Sequence, residues 1–226
     1  MTETQEQFFD RISGDYTAAI ERCVPRYREM LWALRFYLPE TLRGGRIIEL
    51  GCGSGNWTEC LVQSFSDARV EAVDLSAELL EQARSRLQTH AGLSFRREDI
   101  RSMEVEPGSV QVVTSTIAIH HLTNPEKASL FKAVHQWLAP GGVFAYSDQF
   151  RGATEAIHQR HMNEWHRLAQ EREVPDSEWD EWMSHQDDHD YHATLNDQLK
   201  MLQDAGFGTT DCVWRHLLWT VLVAEK

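Results

Sequence analysis

Short apolar runs alternate with stretches of helical period along most of the chain, and that alternation predicts a parallel sheet covered by helices. Ile47, Ile48 and Leu50, with Glu49 among them, form the first run and lead into the glycines of RIIELGCGSGNWT (Arg46–Thr58). A helix over Trp57–Phe65 follows, then a second strand, Val70–Val73, that ends at Asp74. Ser76 reads as the N-cap of a helix carrying Leu79, Leu80, Ala83 and Leu87. A third strand covers Leu93–Phe95, and a fourth, Val110–Ile119, emerges at His120 and His121. After a helix from Pro125 to Leu138, the Ala139–Gly142 turn leads into a fifth strand, Val143–Ser147, with Asp148 at its tip. The closing runs, Cys212–Arg215 and Leu217–Val223, are too close together for a crossover helix, so they pair antiparallel at the sheet edge.

Two segments lie outside this rhythm. Residues 1–45 place Phe8, Phe9, Ile12, Tyr16, Ile20, Val24, Tyr27, Met30, Leu31 and Leu34 at helical spacing, broken at Gly14 and Pro25. They predict an N-terminal helical cap, with Tyr16, Arg22 and Tyr27 as polar side chains for a ligand. Residues 150–192 hold six of the eleven histidines, together with Trp165, Trp179 and Trp182, and predict a helical insertion on the substrate side of a core spanning residues 46–226.

Composition narrows the partner. A net charge of −13 disfavours a grip on a nucleic-acid backbone and favours a small molecule. The four cysteines, Cys23, Cys52, Cys60 and Cys212, lack metal-site spacing, and no membrane-length apolar run occurs. Reduced thiols in a cytoplasmic protein, free of membrane contact, are the expectation; a homodimer is left open.

The glycine turn after the first strand lets backbone N–H groups approach a ligand, beside the positive end of the next helix. Asp74 stands about twenty residues further on, where a carboxylate accepts hydrogen bonds from a ribose diol. Leu75 is placed to pack on an adenine ring, and Asp99 to accept its amino group.

The ordered set IIELGCGSG, VEAVDLS, REDI, a strand into IHHL, LAPGG and LQDAGF resembles the class I S-adenosylmethionine-dependent methyltransferases. The resemblance covers about residues 46–226. It implies an α/β, Rossmann-like, seven-stranded sheet with the last strand antiparallel and helices on both faces. It also implies S-adenosyl-L-methionine as cofactor and S-adenosyl-L-homocysteine as product. Gly51, Gly53 and Gly55 would pass under the methionine part, Asp74 would hold the ribose hydroxyls, Asp99 and Ile100 would frame the adenine, and Glu49 and Thr116 would lie near the methionine end. A dinucleotide dehydrogenase fits poorly, because Asn56 stands where its third glycine belongs. RCVPRY, YSDQF and the segment before LQDAGF are also similar to carboxy-S-adenosylmethionine synthases. That family holds the extra carboxylate with an arginine in the insertion, and Trp182–Asp190 contains neither Arg nor Lys.

The expected activity is methyl transfer to a small-molecule acceptor; the alternatives are a cofactor-modifying synthase and a non-catalytic cofactor-binding protein. Only proton removal calls for a special residue, and His121, His120 and Asp148 are the catalytic candidates. His158 with His161, and His185, His189 and His192, share helix faces, yet the interleaved Asp187, Asp188 and Asp190 favour a solvated polar helix, and no metal site is assigned.

Overall fold

The computed structural model describes Thr4 and residues 16–226. Phe8, Phe9, Ile12 and Gly14 of the expected cap lie outside the described residues, as does the side chain of Tyr16. Seven strands form one sheet in the order β3-β2-β1-β4-β5-β7-β6. They are β1 (Arg46–Leu50), β2 (Arg69–Asp74), β3 (Leu93–Arg97), β4 (Val110–Thr116), β5 (Leu138–Gln149), β6 (Thr209–His216) and β7 (Trp219–Glu225). Strands β1 to β5 pair in parallel, and β7 runs antiparallel to both β5 and β6. The closing hairpin therefore places β7 inside the sheet and β6 at its edge.

Eight α-helices accompany the sheet among the described residues: α1 (Tyr16–Cys23), α2 (Tyr27–Phe36), α3 (Asn56–Ser64), α4 (Ala77–Leu87), α5 (Asn124–Trp137), α6 (Glu155–Glu171), α7 (Asp176–His189) and α8 (Leu195–Asp204). None is long and apolar enough to cross a membrane. The period of two along the strands sorts side chains to two cores. Ile47, Val112 and Ala145 join α2 and α3 on one face, whereas Ile48, Val113 and Phe144 join Leu130, Phe131 and Val134 of α5 and Leu202 of α8 on the other.

Several strand ends differ from the sequence reading. The fourth strand stops at Thr116 rather than Ile119, because Ile117 adopts φ 53° and a 3-10 turn, Ile119–His121, follows. The fifth strand begins at Leu138, and the proline and glycines expected as a turn lie within it; the register slips between Val110 and Val112. It also ends at Gln149, so Asp148 is a buried residue inside the strand rather than at a tip beyond Ser147. The third strand runs two residues further, to Arg97.

The turn after β1 is held against the turn after β4. Gly51 has φ 71°, and a Cβ there would stand 2.3 Å from the Cβ of Ala118. Both the backbone conformation and the contact require glycine. Gly51→Ala is expected to lower stability by about 2–4 kcal/mol through strain and overpacking, measured by urea denaturation. A loss below about 0.5 kcal/mol would show that the two turns are not pressed together.

Candidate active site

The carboxyl ends of β1, β2 and β4 border a cleft of about 730 Å³ lined by Gly51, Gly53, Asp74, Leu75, Asp99, Ile100, Ile117 and His121, among others. At its floor the Gly53 N–H donates to Asp74 Oδ2 at 2.7 Å, and the Ser76 N–H donates to Oδ1 at 2.9 Å. Two backbone donors thus fix the orientation of the carboxylate in the cleft. Ser76 caps α4 by accepting from Leu79 N–H. Asp99 is clamped by Arg101, whose guanidinium holds its carboxyl below the usual range, while Ile100 supplies an apolar wall.

Gly55 does not face this cleft. A Cβ there would meet Ala83 and Leu87 at 3.0 Å, so Gly55 serves the packing of α3 against α4. Thr116 lies with Gly51, Gly53, Tyr27 and Asn56 around a smaller recess next to the cleft. Glu49 sits behind the glycine turn, fully buried, accepting from Thr58 Oγ1 at 2.6 Å, while its Oε1 has no hydrogen-bond partner among the described residues. Burial pushes its carboxyl up to about 8, against the Thr58 hydrogen bond, which lowers it, and with a further upward push from Asp74.

A second cavity, about 630 Å³, opens on the other side of Ile117 and His121, which line both. Trp165, Trp182 and Trp219 make it apolar, and His120, His185, Gln149 and Asp190 supply its polar atoms. The sequence singles out Trp165 and Trp182 but not Trp219, and their meeting requires α6, α7 and β7 to converge. Trp165 donates to Cys23 O at 2.8 Å and stands edge-on to Trp219 at 5.7 Å. Arg22 pairs with Glu178 at 3.1 Å, so α1 and α7 close the cavity together. Arg22 is thus spent on a structural contact.

His120 and Asp148 meet in the wall. Asp148 accepts the His120 backbone N–H at 2.8 Å, the Gln149 N–H at 2.8 Å and the His120 ring at Nδ1, 2.5 Å away. Burial opposes charging the imidazole, but Asp148 and Asp190 outweigh it and raise the His120 pKa; burial likewise opposes ionising Asp148, and the charge on His120 outweighs that. Nδ1–H therefore faces Asp148 and Nε2 faces Asp190, 3.7 Å away. His121 differs: burial, then the charge of His120, lowers its pKa. Asp190 escaped the sequence reading as a site residue, because nothing in a run of polar helix signals that its last carboxylate folds back beside a turn seventy residues earlier. Tyr191 N–H donates to His120 O at 2.8 Å, and the buried Lys127 ammonium donates to Leu122 O and Tyr191 O, which fastens the two segments. His158 and His161 of α6 do not line either cavity.

A family model described as a methyltransferase domain matches residues 47–142, the span that carries β1 to β4, the glycine turn, Asp74 and the histidine turn. Over those residues the chain is similar to a methyltransferase domain. The chain is 36% identical over 132 residues to a malonyl-[acyl-carrier protein] O-methyltransferase of Chlorobium phaeovibrioides, a match covering 58% of this chain and 50% of that protein. The chain thus spans about half the length of that relative. It is 26% identical over 231 residues to a carboxy-S-adenosyl-L-methionine synthase of Trichlorobacter lovleyi, covering 97% of this chain and 92% of that one. In fold it is similar to a Haemonchus contortus phosphoethanolamine N-methyltransferase solved with phosphomonomethylethanolamine and S-adenosylhomocysteine, with a TM-score of 0.70, 17% identity, and coverage of 100% of this chain and 60% of that chain.

Glu49 generates a pH test of the buried carboxyl behind the glycine turn. A carboxyl with a raised folded pKa contributes fully below its unfolded value, near 4.5, and loses that contribution as pH rises towards about 8. Between pH 5 and 8 the native protein should therefore lose a few kcal/mol relative to Glu49→Gln, measured by denaturant titration at several pH values. Parallel profiles for the two proteins would contradict the buried, neutral carboxyl.

Proposed function

We propose that this protein is an S-adenosylmethionine-dependent methyltransferase acting on a small molecule held in the tryptophan-lined cavity. The observation that carries the reading is the pair of cavities meeting at Ile117 and His121, one at the strand ends beside Asp74 and the other apolar. The residues of the first fit the cofactor. Asp74, fixed by Gly53 and Ser76, accepts the ribose hydroxyls; Leu75 and Ile100 flank the adenine and Asp99 stands beside its edge. Gly51 and Gly53 let the backbone come close to the methionine part, with Thr116 and Tyr27 around the adjoining recess. Glu49 lies behind that turn, where a positive group brought by the ligand would favour its ionised form. The cofactor supplies an electrophilic methyl group on a sulfonium.

The chain's own part is alignment and proton handling. Trp165, Trp182 and Trp219 exclude water from the acceptor and hold its apolar body. His120, oriented by Asp148, presents Nε2 as the group that can take a proton from the acceptor. His121 stands at the junction of the cavities. The solved relative bound to S-adenosylhomocysteine and a small phosphorylated amine supports the reading by analogy of fold.

A synthase-like activity has one supporting observation, the match along 97% of the chain to a carboxy-S-adenosyl-L-methionine synthase. Against it, no Arg or Lys lines the second cavity among the described residues, and the Asp190 carboxylate lies there. An extra carboxylate on the cofactor would meet repulsion rather than a partner.

Calorimetric titration should show one S-adenosylhomocysteine bound per chain, weakened about 100-fold or more by Asp74→Ala, which removes a charge-assisted diol contact. Incubation with methyl-labelled cofactor and a panel of small apolar acceptors bearing hydroxyl, thiol or amine groups should transfer label. No cofactor binding by the intact protein would overturn the proposal, and binding without transfer to any acceptor would favour a non-catalytic binding protein.

A further inference from the structure

We propose that His120, His121 and Asp190 form a binding site for a divalent first-row transition-metal ion of the zinc type, set in the wall of the tryptophan-lined cavity. One donor atom from each of the three side chains lies within 4.8 Å of the others. His121 Nδ1 is 2.8 Å from Asp190 Oδ1, and His120 Nε2 is 3.7 Å from the same oxygen. Ligand atoms around a tetrahedral ion with bonds of about 2.0–2.1 Å stand about 3.3 Å apart, so these distances bracket what one ion needs.

The 2.8 Å contact has a second property. Asp190 Oδ1 is buried, and His121 Nδ1 is its close neighbour. His192 adds to the picture: its Nε2, buried and without a hydrogen-bond partner among the described residues, is 3.6 Å from the other oxygen, Asp190 Oδ2. Asp190 thus has imidazole nitrogens at both oxygens, an arrangement a cation would complete.

The surroundings are those of an oriented ligand set. The hydrogen bond from His120 Nδ1 to Asp148 fixes the ring and turns the Nε2 lone pair towards Asp190, the outer carboxylate characteristic of metal-bound histidine. The Tyr191-to-His120 backbone bond and the Lys127 ammonium lock the two ligand-bearing segments before any ion arrives. Asp148 and Asp190 place two carboxylates in one buried region. Three protein ligands leave a coordination position open, and the cavity these residues line gives that position access to a small molecule.

Two imidazoles and one carboxylate suit Zn²⁺ and its first-row neighbours rather than Mg²⁺ or Ca²⁺, which prefer all-oxygen sites. On the acceptor-cavity reading, on which this role rests, the ion holds a donor atom of the acceptor and eases loss of its proton. The acceptor class is then an apolar molecule with a coordinating hydroxyl, thiol or amine. With the ion in place His120 is a ligand, and the proton leaves to solvent; without it His120 Nε2 is the base.

The test uses the full chain freed of metal by chelator and dialysis. Zn²⁺ is titrated calorimetrically, and Co²⁺ is followed by visible absorption, in the native protein, Asp190→Asn, His121→Gln and His161→Gln. One Zn²⁺ should bind with a Kd below about 1 µM, weakened about 100-fold or more by Asp190→Asn or His121→Gln and unchanged by His161→Gln. Co²⁺ should give a visible band with the native protein that both ligand variants lose. Circular dichroism and thermal denaturation verify that each variant is folded; should Asp190→Asn not fold, His121→Gln and the native Co²⁺ spectrum decide. Absence of stoichiometric Zn²⁺ binding, or equal binding by the ligand variants, would overturn the site. Cofactor binding and methyl transfer without metal uptake would sink this inference alone, whereas Zn²⁺ uptake without cofactor binding would sink the methyltransferase reading alone.

Discussion

The buried carboxylate of Asp148 is the interaction on which the site depends. It stands inside β5 with no access to water, and such a charge persists only when its lone pairs are met. It gathers the backbone N–H of His120, the ring of His120 and the N–H of Gln149. Two of these come from the turn after β4, so satisfying the carboxylate also sets where that turn runs. Ile117 at φ 53° and the 3-10 turn over Ile119–His121 are the backbone consequences, and the pressing of Ala118 on Gly51 fixes the same turn from the opposite side.

From that placement the two cavities follow. The turn is the partition between a cleft at the carboxyl ends of the parallel strands, where open α/β sheets bind ligands, and a chamber roofed by α1, α6 and α7. Ile117 and His121 belong to both. The insertion is not a loose appendage to this arrangement. Near its end Asp190 contacts the His121 ring, the Tyr191 N–H donates to His120 O, and Lys127 donates to the carbonyls of Leu122 and Tyr191. Chemistry proposed for the site therefore draws on the turn after β4, on β5 and on the insertion together, whereas the first cleft draws on the first half of the chain.

That division matches what could be read from the sequence. The cleft was legible because its parts are local: a strand, a glycine turn, and a carboxylate at the next strand's end are set by short-range geometry, and Gly51, Gly53, Asp74 and Ile100 all came to line it. Gly55 was read as a cavity residue because spacing does not distinguish a glycine needed for ligand approach from one needed for helix packing. Strand ends failed where a turn hides in an apolar run, as at Ile117–Ile119, and where glycines sit inside a strand, as in β5. Asp190 could not be found, since its partners His120 and His121 are distant in sequence and the histidines of the insertion suggested helix-face spacing instead. Helical periodicity describes neighbours on one element, and this cluster joins a turn to the end of a helix.

The most direct measurement of the account is a crystal structure of the protein with S-adenosylhomocysteine. The adenine should lie between Leu75 and Ile100 with the ribose hydroxyls on Asp74. The sulfur should face the opening at Ile117 and His121, so that a methyl group on it would point into the tryptophan-lined chamber. A ligand bound elsewhere, or a sulfur directed away from that opening, would contradict the proposal that the two cavities form one methyl-transfer site.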